Sequence, residues 1–161
     1  MSAVARWTGI PQLISFYRYI AFNAPRVTTA AGTVLLLGVA AIRLYWLVGG
    51  FPVPVYPAYL GWYLGLLVVV AALAAGSMVI GPRPGLVRLG WVLGSVVSVV
   101  SIAVYVTSRT LGLPGLPQLL HWWDYPLGSF AMVLAALFIA LHASVVTGMN
   151  VAYPQRRDWH D

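Results

Sequence analysis

The chain has 161 residues, of which 61% are hydrophobic and only 7% charged, with a formal net charge of +6. A soluble domain carries roughly 25% charged residues, so the composition excludes a water-covered globule and indicates an integral membrane protein. All nine cationic residues are arginine, all three acidic residues are aspartate, and cysteine is absent, which excludes disulfides, thiolate metal sites and a cysteine nucleophile.

In chain order, residues 1–25 come first. Pro11 suits the first turn of a helix, and Leu13, Ile14, Phe16, Tyr17 and Ile20 give an apolar stripe beside Arg18. This pattern predicts a cytoplasmic interfacial helix lying on the inner leaflet. Pro25 in "FNAPR" disfavours helix at Ala24, so this helix is expected to be separate from the first span. Nothing here has the apolar run and small-residue cleavage site of a signal peptide.

Four apolar stretches follow, near Val27–Val48, Tyr59–Ile80, Val87–Thr107 and Leu127–Gly148. Each has the length of about 20 residues that spans a bilayer. They are joined by "GGFPVPVYP", "GPRPG" and "GLPGLPQLLHWWDYP", where proline and glycine punctuate the chain. The expected fold is an all-α integral membrane protein: a four-helix transmembrane domain over 26–150 and a cytoplasmic tail over 151–161. Arg6, Arg18, Arg26, Arg83, Arg88, Arg156 and Arg157 fall on one side, while Arg43 and Arg109 lie toward the other. The positive-inside rule then places both termini in the cytoplasm and the protein in the plasma membrane. Tyr45, Trp46, Tyr56, Tyr59, Trp62, Tyr63, Trp122, Trp123 and Tyr125 form the outer aromatic belt. The arginines are spread between spans, which argues against nucleic acid and for contact with anionic lipid headgroups.

Inside the spans, polar residues are few. Arg43 lies sixteen residues beyond Val27, about 24 Å up a helix, roughly one turn below the outer surface. It can snorkel to water, form an ion pair with Asp124 in the outer loop, or serve a ligand; the structural readings come first. His142, in the inner half of span four, is read as a hydrogen-bonded packing residue. A proton relay or a haem ligand is the sharper alternative. Gly90, Gly94, Ser98 and Ser101, followed by Tyr105 and Ser108, share one face of span three. Such small and hydroxyl residues let helices approach closely, either within the bundle or against another protein; the latter makes them the expected interface. No phosphate-binding loop, nucleophile elbow, paired carboxylates or HExxH pattern occurs. The chain is therefore expected to be no enzyme and to hold neither cofactor nor metal.

"RLYWLVGG", Arg43 to Gly50, resembles the His-x-Tyr-Trp-Ala-x-Gly-Gly stretch at the outer end of the first span in a family of small actinobacterial membrane proteins of unknown function. Tyr45, Trp46, Gly49 and Gly50 match, and Arg43 stands where that family has His. The resemblance implies a four-helix architecture and no activity. The bias toward Ala, Val, Gly and Arg fits a GC-rich actinobacterial genome. Size and topology look like those of accessory subunits in mycobacterial membrane complexes. The expected function is accordingly that of a non-catalytic accessory subunit held by helix contacts in a larger membrane complex. An Mce-type lipid importer is the first choice of host and a respiratory oxidase supercomplex the second. The rival is a small carrier or ligand-binding protein with Arg43, Asp124, Tyr105 and His142 around a cavity; the absence of an evident repeat or broken helix counts against it.

Overall fold

The computed structural model describes residues 10–53, 55–80, 83–150 and 152, with side chains from Pro25 onward. The stripe from Leu13 to Ile20 and the arginines at 6, 156 and 157 lie outside the described side chains. Helix α1 covers Ile10–Tyr45 and runs into a wider turn at Trp46–Gly50. Helices α2 (Ala58–Ile80), α3 (Pro84–Thr110) and α4 (Pro126–Val146) follow, with a single 3-10 turn at Pro117–Leu119 in the last connection. Proline opens both α3 and α4, where its missing N–H would be unpaired anyway and its fixed φ already suits a helix.

Four helical stretches, Pro25–Gly50, Ala58–Ile80, Pro84–Thr110 and Pro126–Val146, are long and apolar enough to cross a membrane. They coincide closely with the stretches expected from sequence. One expectation fails at the backbone level: α1 is helical from Ile10 to Tyr45 with Pro25 inside it, not two helices separated at Ala24. Proline forfeits one i→i−4 bond, and helices beside a membrane tolerate that loss when neighbouring groups take up the freed carbonyl.

The helices close into a ring, with α1 on α2, α2 on α3, α3 on α4, and α4 back on α1. The seams have a common period. Buried residues recur at Leu60, Leu64, Leu67, Ala71, Ala74 and Met78 in α2 and at Val87, Trp91, Gly94, Ser98, Ser101, Tyr105 and Ser108 in α3. In α1 they recur at Gly32, Leu36, Val39 and Arg43, and the wider turn continues the series at Trp46. Alternating steps of four and three keep one stripe of each helix facing its neighbours, as in left-handed bundles. Outside the seams, large apolar side chains such as Leu66, Leu73, Val96 and Phe130 are exposed, as lipid contact requires.

Layers stack along the bundle. At the end near the α2–α3 turn, Trp91 stacks on Phe138 with ring centroids 5.2 Å apart, within a cluster that includes Leu36, Met78 and Ala152. Thr29 donates to the Ala152 carbonyl at 2.8 Å, so the chain leaving α4 is tied back to α1. Ala40, Leu67, Ala71 and Val97 form the middle layer. The opposite end, called distal below, carries the α1–α2 and α3–α4 connections and a third cluster of Trp46, Val53, Leu60, Leu64, Leu116 and Leu119. Gly49 adopts φ 116°, a conformation essentially reserved for glycine, and turns the chain out of α1. Tyr59 then donates to the Pro114 carbonyl at 2.6 Å and joins the two distal connections.

Candidate functional site: a cationic chamber at the distal end

Arg43 occupies a seam position of α1 and is only 5% exposed, and Arg109, near the end of α3, only 4%. The step of four from Tyr105 to Arg109 continues the α3 stripe, which turns this second arginine inward. Both line a cavity of about 40 Å³ together with Trp46, Tyr63, Tyr105, Ser108 and Tyr125 and several apolar side chains. A single water needs roughly 10–15 Å³ of such space; the chamber therefore has room for about three water-sized groups.

Aromatic rings provide much of the compensation for the two cations. The Arg43 Cζ lies 4.6 Å from the Trp46 ring centroid. The Arg109 Cζ lies 5.0 Å from that of Tyr105 and 5.7 Å from that of Trp122. Desolvated cation–π contacts are worth about 2 kcal/mol each. Trp46 is held in place by donating its indole N–H to the Tyr125 hydroxyl at 2.9 Å. Arg109 donates through Nη1 to the Leu119 carbonyl at 3.1 Å, and its own carbonyl accepts from the His121 amide at 2.9 Å. The 3-10 turn and the His121 backbone, with φ 59°, are thus built around the arginine.

These contacts leave donors unused. The Nε–H groups of Arg43 and Arg109 are buried without a hydrogen-bond partner. The Tyr63 hydroxyl, which faces Arg43 and has the Ser101 hydroxyl as its near neighbour, is also buried and makes no hydrogen bond of ordinary geometry. Among the described residues, no carboxylate lines the chamber. Two buried guanidinium groups with unused donors, and no carboxylate beside them among the described residues, make the chamber electropositive, so that chemically it can hold a small anion.

The structure does not join Arg43 to Asp124. Asp124 is exposed in the α3–α4 connection, and among the described residues no ion pair links it to Arg43. The reason is rotational: the steps Leu36, Val39, Arg43, Trp46 turn Arg43 toward the bundle interior, onto Trp46. The same geometry removes the snorkelling reading. Gly90, Gly94, Ser98 and Ser101 are likewise not an outward interface. All four are buried within the chain. A Cβ on Gly94 would approach Phe138 Cε1 to 2.7 Å and Leu36 Cδ1 to 2.8 Å, and one on Gly90 the Ala74 carbonyl oxygen to 2.7 Å. The stripe is what lets α3 pack closely on α2 and α4 and leaves room for Leu36 of α1.

His142 lies away from the chamber. Its Nδ1 is 2.5 Å from Ser95 Oγ, and its ring lies 5.5 Å from that of Trp91. Of the residues expected around a shared cavity, Arg43 and Tyr105 are brought together, whereas Asp124 and His142 are absent from its lining. Sequence reasoning missed Arg109 and Tyr63 as members. The signal for Arg109 was its continuation of the α3 face; Tyr63 is one of many distal aromatics, and only its opposition to Arg43 distinguishes it. Among the described residues, no three His, Asp or Glu converge as metal ligands do. No known family, curated protein or solved structure matches the chain.

Proposed function

We propose that this chain is a non-catalytic, multi-pass subunit of the plasma membrane that binds an anionic group in the chamber at its distal end. The observation that carries this reading is the pair of buried guanidinium groups with unused donors and, among the described residues, no carboxylate beside them. Native proteins satisfy nearly all buried polar groups, and an uncompensated buried charge is among the costliest features a fold can hold. An external anion removes that cost.

The proposed setting keeps both termini in the cytoplasm, so that the distal chamber opens toward the outer face, and leaves the start of α1 on the inner leaflet. Arg26, Arg83 and Arg88, at the opposite end of the bundle, support this orientation through the positive-inside rule. The proposed host is a larger actinobacterial membrane complex, an Mce-type lipid importer before a respiratory oxidase assembly. The exposed apolar faces of the four helices leave room for such neighbours. Mass spectrometry of chains retained in mild detergent tests the host: importer components are expected, and recovery of the chain alone contradicts the accessory role.

Binding is tested through Trp46, which sits in the chamber wall. Tryptophan emission of the purified protein is expected to change saturably with at least one of acetate, phosphate or chloride, and Arg43→Met is expected to abolish the change. A flat response to all three, or the same response in Arg43→Met, contradicts the reading.

A further inference from the structure

Resting on that reading, we infer that the anion is a carboxylate, free or as the head of an aliphatic chain. Three properties of the chamber select it. The first is size. A volume of about 40 Å³ has room for about three water-sized groups, which suits a carboxylate head whose alkyl tail extends beyond it, whereas all four oxygens of a phosphate would have to fit.

The second is the donor set. Guanidinium groups present planar forks that match two coplanar oxygens. Arg43 and Arg109 reach the chamber from α1 and α3, each with Nε–H unused, and the buried Tyr63 hydroxyl, which makes no hydrogen bond of ordinary geometry, comes from α2. A carboxylate has about four acceptor sites on its two oxygens and can take donors from three helices at once. Chloride, a single spherical acceptor, can sit in one fork but has no second atom with which to engage the other donors.

The third is the wall. Leu60, Leu64, Val104 and Leu113 place hydrocarbon beside the arginines, and an apolar lining strengthens each charged hydrogen bond. It also suits the methylene next to the carboxylate, which a bare inorganic anion lacks. The site lies at one end of a membrane bundle, so the carboxylate has two sources, a dissolved short-chain acid or a fatty acid in the leaflet.

Thermal unfolding in a nonionic detergent separates these cases, with sodium salts compared at equal ionic strength. Acetate, propionate and hexanoate are each expected to raise the midpoint saturably, whereas chloride and phosphate leave it unchanged. Half-saturation at least tenfold lower for hexanoate than for acetate identifies a fatty acid as the source; equal values identify a small dissolved acid. Tyr63→Phe keeps the ring and its packing and is expected to raise the half-saturating carboxylate concentration about tenfold. Arg43→Met is expected to abolish the response. Stabilisation by chloride or phosphate that matches or exceeds that by the carboxylates overturns the inference and leaves anion binding standing. Absence of response to every anion overturns both. A carboxylate response unchanged in both Tyr63→Phe and Arg43→Met overturns the assignment to this chamber.

Discussion

Arg43 shows how one residue's meaning depends on which way its helix is turned. Depth alone makes it a snorkelling side chain. Phase makes it a core residue, because Leu36, Val39, Arg43 and Trp46 follow the seam of α1. Asp124 then has no structural work to do with it. Asp124→Asn is expected to change stability by less than about 0.5 kcal/mol, as at other exposed positions, and to be additive with Arg43→Met in a double-mutant cycle. A coupling above about 0.5 kcal/mol contradicts this placement. Gly94 carries the opposite expectation. Leucine there meets Phe138 and Leu36 within the bundle, and overpacking of this kind costs about 1–3 kcal/mol. Gly94→Leu should therefore lower both the thermal midpoint and the abundance of the protein itself. His142→Ala removes the bond to Ser95, worth about 0.6 kcal/mol on average between membrane helices, and should shift the midpoint by far less than Gly94→Leu.

At the scale of elements, the number and extent of the spans were legible in the sequence, since long uncharged runs between proline–glycine breakers admit few other readings. Which face of each span turns inward was legible only where the composition is uneven. In α3, Gly90, Gly94, Ser98 and Ser101 mark a face plainly. Their opposing partners, Leu36 from α1, Met78 from α2 and Phe138 from α4, are remote in sequence, so an internal seam and an external interface look alike. In α2 the residues are apolar on every side, and the seam Leu60, Leu64, Leu67, Ala71 emerges only from contacts. At Pro25 a local rule, that helix is disfavoured before proline, predicts a break; the backbone continues through it. The turn after α1 offers a test of local conformation. Gly49 holds φ 116°, and a side chain there costs about 1–3 kcal/mol of backbone strain although nothing crowds the position. Gly49→Ala is expected to destabilise by that amount in thermal unfolding, and a neutral result contradicts the turn. Because this turn positions Trp46 and Phe51 at the chamber, Gly49→Ala should weaken anion binding as well.

For the whole molecule, the central proposal is that the arginine chamber of this four-helix bundle opens away from the cytoplasm. Its helices, seams and chamber follow from residue spacing and burial, while orientation rests on the arginines at the opposite end. The chain has no cysteine, so a single introduced thiol reports on its own position without background. Gln118 in the distal connection and Arg83 in the α2–α3 turn are both exposed and lie at opposite ends of the bundle. The most direct measurement is labelling of Gln118→Cys and Arg83→Cys in intact cells with a membrane-impermeant maleimide. The account predicts that Gln118→Cys is labelled at once and Arg83→Cys only after the membrane is permeabilised; the reverse pattern, or equal labelling of both in intact cells, contradicts it.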